Sequence, residues 1–208
     1  MLAAQPTPTL REPTPLRLWL QDPGAARRPG LAEAFRLARS TFQAGRRLDM
    51  TALADQLGVN RVTLYRWVGS REDLLVEVIW SLAEPTLERL RAEVTETGGE
   101  RIVQVETRFM DAVLANPGFA AFLSEEGELA MRILTRWDTG FQPRLIADVQ
   151  GMLAAEQATG ALGPLPADLR DAAYAVVRII ESYVYLDLIT GEAPDTGRAE
   201  QVFRLLLR

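Results

Sequence analysis

One stretch, MTALADQLGVNRVTLYRWVGSREDLL at residues 50–75, constrains this chain more than any other. It reads as two short helices with a tight turn between them, running into a third. Leu53, Ala54 and Leu57 stand at i, i+1 and i+4 and form a small apolar stripe. Gly58 follows at once, and glycine tolerates the left-handed conformation that ends a helix. Val59 is placed to fill the angle between the helices. Asn60 is a good N-cap, because its side-chain oxygen can accept an orphan backbone N–H. Leu64 and Val68, four apart, face inward and leave Arg61, Val62, Tyr65 and Arg66 on the remaining surface. Gly69 ends the second helix, and Ser70 with Asp73 three residues on opens the next, close to a capping box.

The pattern is that of a helix-turn-helix, whose second helix enters the major groove of DNA. On that reading Arg61, near the start of the recognition helix, makes a bidentate contact to guanine worth roughly 1–3 kcal/mol of discrimination. Val62 meets a thymine methyl, and Arg66 adds a phosphate contact or is a solvated surface charge. The wording GVNRVTLYRWVGSREDLL further resembles the DNA-binding segment of the TetR family of bacterial transcriptional regulators. The matching positions are Gly58, Val59, Asn60, Thr63-Leu64-Tyr65, Trp67 and Arg71. The resemblance implies that Thr63, Tyr65 and Trp67 contact phosphate or the groove wall, with packing between helices as the alternative for Tyr65 and Trp67. It implies that Arg71 is a phosphate clamp at a helix N-terminus and that Thr51 contacts a base or phosphate. Asp49 departs from the family, which more often has Ser or Thr there; a carboxylate repels the phosphate that a hydroxyl would reach.

The net charge of −5 speaks against DNA until the chain is divided. Residues 1–75 carry +4 and residues 76–208 carry −9. A basic end on an acidic body is the asymmetry expected of a protein that presents one end to nucleic acid. Cysteine, histidine and lysine are all absent. Their absence removes disulfides, thiol catalysis, imidazole zinc sites, His-dependent triads, Schiff-base chemistry and a P-loop lysine. No enzyme activity, cofactor or metal is therefore expected. No apolar run approaches the ~18–20 residues that span a membrane, and no secretory signal is visible, which points to the cytoplasm.

The residues fall into a Pro-rich extension (1–29), a helix-turn-helix DNA-binding domain (30–75) and a ligand-binding and dimerisation domain (76–208). Residues 1–30 hold six of the twelve prolines and are expected to be extended or disordered, not helical. Arg11, Arg17, Arg27 and Arg28 there suit either a DNA-contacting arm or a passive tail, while Leu16, Leu18, Trp19 and Leu20 are too apolar for a pure linker and suit packing on a neighbour. Residues 30–44 read as an amphipathic helix through Leu31, Ala34, Phe35, Ala38 and Phe42. A helical pattern from Glu72 to about Val94 contains Pro85, which kinks or breaks it. Helices follow at 101–115, 117–123, 124–137, 141–156, 167–190 and 198–207. No strand alternation occurs, so the fold is all-α. The pattern at 167–190 is apolar nearly all round and needs cover on both sides. Together with the last helix it suits a symmetric four-helix dimer face, matched to a pseudo-palindromic operator.

The body should enclose a mostly apolar cavity with a few polar groups. Candidate lining residues are Phe109, Trp137, Phe141, Tyr174, Arg178, Glu181 and Tyr183, with plain core as the alternative for the aromatics and an ion pair for Arg178 with Glu181. The segment VRIIESYVYLDLITGEAPDTGRAEQVFRLLL resembles the C-terminal region of a TetR subgroup typified by the regulator of a quorum-signal lactonase operon. That resemblance implies γ-lactones as inducers. The sequence thus points to a homodimeric, ligand-responsive DNA-binding regulator, a repressor released by a small apolar ligand. An activator or DNA binder without an inducer, and an all-α carrier or enzyme, are the alternatives.

Overall fold

The computed structural model describes residues 10–22, 29–165 and 167–207. Among these residues it has eleven α-helices, one 3₁₀ turn and no strand. The helices are α1 (Pro15–Gln21), α2 (Pro29–Gln43), α3 (Met50–Gln56), α4 (Arg61–Val68), α5 (Arg71–Glu93), α6 (Gly98–Leu114), α7 (Pro117–Thr135), α8 (Phe141–Ala158), α9 (Leu169–Val184), α10 (Leu186–Thr190) and α11 (Thr196–Leu206). The 3₁₀ turn is Trp137–Thr139.

Local chemistry sets most of the boundaries. Asn60 Oδ1 accepts from the Thr63 N–H at 2.8 Å and caps α4. Ser70 and Asp73 form a complete capping box at the start of α5. Asn116 caps α7 with Pro117 at its first position, and Asp168 and Asp195 cap α9 and α11. Gly58 at φ +64° and Gly69 at φ +77° end α3 and α4 in a region that other L-residues avoid.

The trio α2–α4 packs on the front of α5, through Leu31, Ala34, Ala38, Leu53, Leu64, Val68, Leu74 and Leu75, all buried. Behind it α5–α11 form a body in which α8 lies along α9, and α11 is wedged against α6 and α9. One continuous cluster of buried apolar side chains runs from Leu16 to Leu207.

Four features differ from the sequence reading. First, residues 15–21 are helical despite their prolines, because Pro15 takes the first turn, where its missing N–H costs nothing, and Thr14 caps the Arg17 N–H. Leu16 is wholly buried, and α1 docks on α4. Arg27 and Arg28, expected on a flexible arm, lie outside the described residues. Second, Pro85 does not break α5, which continues from Arg71 to Glu93. Third, the two helices read at 117–123 and 124–137 are present and meet at a kink, but the kink lies at Glu126 (φ −138°, ψ 37°) and the second helix ends at Thr135. Fourth, the pattern at 167–190 divides at Tyr185, and α9 is amphipathic: Asp171, Tyr174, Arg178 and Ser182 are exposed.

Candidate DNA-binding surface and ligand cavity

The outward side of α4 carries the groups expected to meet DNA. Leu64 and Val68 anchor the helix with no exposed surface, and the 3.6-residue period then turns Arg61, Val62, Tyr65 and Arg66 to solvent. Val62 is 78% exposed, unusual for a branched apolar side chain, and stands beside Arg61 on the first turn. The Arg61 guanidinium lies 6.0 Å from the centre of the Tyr65 ring, within reach of a cation–π contact. Thr63 is half-buried, and Thr51 is exposed on the first turn of α3.

Two of the named residues are engaged within the fold, Trp67 in the packing role given as its alternative. Trp67 is partly buried against α2, so close to Gly30 that a Cβ there would meet its ring at 2.5 Å. Arg71 turns inward: its Nε donates to the Leu48 carbonyl at 2.6 Å and its Nη2 to Glu126 Oε1 at 2.5 Å. It therefore ties the trio to the irregular point of α7. Asp49 is engaged as well, since its Oδ1 accepts from the N–H groups of Thr51 and Ala52. Those two bonds hold its carboxyl below the usual range, and they occupy amides at the N-terminus of α3.

The trio is tied to the body a second time through the N-terminal segment. Arg17 Nε donates to Glu77 Oε1 at 2.6 Å, and its Nη2 donates to the Thr139 carbonyl at 2.7 Å. Arg144 of α8 donates to both oxygens of the same Glu77, at 3.0 and 2.6 Å. Glu77, almost wholly buried, is thus held by two guanidinium groups from opposite sides of the junction. Arg11 adds contacts to Asp138 and Asp73.

Inside the body, α5, α6, α7, α8 and α9 enclose a mostly apolar cavity. The space open to the centre of a water-sized sphere is about 80 Å³. One water needs roughly 10–15 Å³ on that measure, so the cavity holds several water-sized groups. Ile79, Leu82, Phe109, Phe119, Leu145 and Ile180 form much of the wall, and Phe42 at the end of α2 reaches it from the DNA-facing trio. The polar corner is built by Glu181 and Tyr185. Glu181 is accepted into a small network: Gln142 Nε2 donates to its Oε1 at 3.2 Å, and Arg178 pairs with its Oε2. Burial pushes the Glu181 carboxyl up to about 7, against the opposing pull of Arg178. Tyr185 is buried, and its hydroxyl has no hydrogen-bond partner among the described residues.

Of the seven cavity candidates, Phe109, Phe141 and Glu181 line the cavity. The other four lie elsewhere. Trp137 is under the Arg170 guanidinium, Tyr183 is under that of Arg198, Tyr174 is 49% exposed, and Arg178 reaches the corner only through Glu181. Phe42 and Tyr185 were not among the candidates. Tyr185 had a sequence signal, since it follows Glu181 by one helical turn. Phe42 had none, because nothing local shows that the end of α2 reaches into the body.

Residues 97–208 match the model of the tetracyclin repressor-like C-terminal domain. The chain belongs to the TetR family. It is accordingly a transcriptional regulator and not an enzyme, from a family whose members bind operator DNA, dimerise and often respond to small molecules. Among solved structures, the TetR-family transcriptional repressor QsdR from R. erythropolis is similar at 27% identity, with a TM-score of 0.77 over 86% of this chain and 94% of that one. FadR from Bacillus subtilis, solved with stearoyl-CoA, shares the fold at 17% identity and a TM-score of 0.56, over 85% of this chain and 97% of that one. RolR, solved with resorcinol, shares it at 16% identity and 0.56, over 86% and 95%. No curated protein matches the chain. Among the described residues no helix is long and apolar enough to cross a membrane, and no cluster of acidic side chains suits a metal ion.

Proposed function

We propose that this TetR-family regulator is a homodimeric repressor that leaves its operator when a small, mostly apolar ligand occupies the cavity between α5 and α9. In this reading residues 30–75 form the DNA-binding unit, residues 76–208 sense the ligand and dimerise, and the protein acts in the cytoplasm. Arg61 and Val62 read base edges, while Thr51, Thr63, Tyr65 and Arg66 contact backbone or groove wall. Trp67 supports α4 from behind. Arg71 belongs to the coupling between trio and body in this conformation and is the phosphate contact in the DNA-bound one.

The observation that carries the reading is the position of Phe42. It belongs to α2, which supports the helix-turn-helix, yet it lines the cavity and stacks edge-on against Phe122 of α7 at 5.8 Å between ring centres. A ligand that displaces Phe42 moves the base of the DNA-facing trio. A ligand shifts an equilibrium only through a difference in its affinity for the two states, and a wall residue shared by both units supplies that difference. A coupling of ~1–3 kcal/mol is ordinary for such a link. In a dimer the shift changes the separation of the two α4 helices from the ~34 Å of successive half-sites. Exposed Leu188, Ile189 and Leu205, together with Tyr174, support a dimer face on α9–α11.

The cavity as it stands suits a compact, mostly apolar ligand. The wording of the C-terminal segment, through the subgroup it resembles, favours a short γ-lactone. The test is a gel shift with the DNA flanking the protein's own gene. The complex should form with wild type, dissociate with a short γ-lactone, and persist with the opened hydroxy acid. Persistence with every small apolar compound tried would refute ligand release while leaving the DNA assignment intact.

A further inference from the structure

We infer that Glu181 is a charge filter: with Tyr185 it makes the cavity accept uncharged ligands that carry a hydrogen-bonding oxygen and reject anions of the same size. The inference rests on the cavity being the ligand site and goes on to name the chemistry that site selects.

Every other face of the cavity is uncharged. The residues contributed by α5 (Ile79, Leu82, Ala83, Thr86), by α6 and by α7 carry no ionisable group. The Thr86 hydroxyl is committed to the Leu82 carbonyl at 2.8 Å, and the Asn116 oxygen to the Phe119 N–H at 3.0 Å. A ligand oxygen entering the cavity therefore meets the Tyr185 hydroxyl, the Glu181 carboxyl and the uncharged side-chain NH2 of Asn116. Tyr185 has a donor to give and stays protonated at any physiological pH, because burial and the neighbouring Glu181 raise its pKa. The groups facing Glu181 are Arg178 on its own helix, Tyr185 one turn on, and from α8 the uncharged Gln142.

Each ionic state of a ligand meets a different fate in this corner. A carboxylate would stand beside Glu181 in a space with no free cation, since the Arg178 guanidinium is already paired with Glu181. Like charges at short range in an apolar site are strongly unfavourable. An ammonium group would compete with Arg178 for the same carboxylate. A neutral alcohol, ketone or ester accepts from Tyr185 and, when Glu181 is protonated, from Glu181 also. Glu181 titrates near neutrality, at about 7, so the rejection of anions strengthens as the pH rises through that value.

A matched set of five-carbon probes, 1-pentanol, pentanoate and pentylamine, tests this by calorimetry on the full-length protein at pH 6 and pH 8. Pentanol should bind at both. Pentanoate, anionic throughout, should bind more weakly than pentanol, and by a larger factor at pH 8. Glu181→Gln keeps the size and the hydrogen bonding and removes the charge. It should raise pentanoate affinity at pH 8 by roughly tenfold, the equivalent of one pKa unit of interaction, and abolish the difference between the two pH values. Pentanol affinity should change by a smaller factor than pentanoate affinity does. An unchanged pentanoate-to-pentanol ratio in Glu181→Gln, or pentylamine binding tighter than pentanol, would overturn the filter while the cavity remained the ligand site. Failure of all three probes to bind would overturn the cavity assignment and the filter with it.

Discussion

Glu106 gives the sharpest stability prediction. It lies on α6 with no exposed surface, and neither carboxyl oxygen has a hydrogen-bond partner among the described residues. Burial pushes its carboxyl from the ordinary 4.5 up to about 8; the charge of Asp148 pushes the same way, and Arg91, which pairs with Asp148, opposes it. Between those two values the folded chain holds a proton that the unfolded chain has lost. The contribution is therefore fully present below pH 4.5 and is lost as the pH rises towards 8. One proton corresponds to about 1.4 kcal/mol per pH unit, so raising the pH from about 6 to about 7.5 should cost about 2 kcal/mol. For a chain of this length that is a fall in Tm of about 4–8 °C. The background is quiet, because the chain has no histidine and no cysteine. Glu181, raised to about 7, acts in the same direction and stays in place in the variant. Thermal melts of wild type and Glu106→Gln across pH 6–8 give the result by subtraction: the variant should lose most of the fall. Parallel curves would show that Glu106 is ionised in the folded protein and would refute the reasoning.

Three other substitutions have defined outcomes. Gly118→Ala places a Cβ 2.2 Å from the Phe42 carbonyl oxygen, a backbone atom that has little room to yield; overpacking of this kind should lower stability by about 1–3 kcal/mol in denaturant melts and alter ligand release in a gel shift. Arg17→Ala removes one of two guanidinium groups from the buried Glu77 and cuts the tie from α1 to the body; a loss of about 1.5–3 kcal/mol is expected in denaturant melts, with unfolding of α1 seen first by hydrogen exchange. Tyr185→Phe deletes the cavity's free hydroxyl, and a neutral oxygen-bearing ligand should bind about 0.5–1.5 kcal/mol more weakly by calorimetry, with Tm nearly unchanged.

The elements legible in the sequence are those whose determinants lie within four residues of each other. Asn60 with Thr63 and Ser70 with Asp73 are contacts across one helical turn, and they place α4 and α5 where the pattern puts them. Six prolines in thirty residues point away from helix by their number, but position decides, and Thr14-Pro15 is a helix start. The kink of α7 at Glu126 is legible to within three residues, as the junction of the helices read at 117–123 and 124–137, but its ion pairs with Arg71 and Arg47 are not, because those partners lie far away in the chain. The division of the long C-terminal pattern at Tyr185 is not legible, because every residue around it is compatible with helix. The cavity was legible in part. Phe109, Phe141 and Glu181 point inward from three different helices, but which faces leave a void depends on how five helices cross, and periodicity does not encode that.

The central claim is that the outward face of α4 reads DNA. A gel-shift titration with the DNA flanking the gene, at fixed salt and with random DNA as competitor, tests it directly. The expected result is a discrete complex that survives the competitor and is weakened roughly 5- to 150-fold by Arg61→Ala, the equivalent of a guanine contact of about 1–3 kcal/mol, while the dimer stays intact by size-exclusion chromatography. Binding no tighter than to random DNA, or equal binding by wild type and Arg61→Ala, would contradict it.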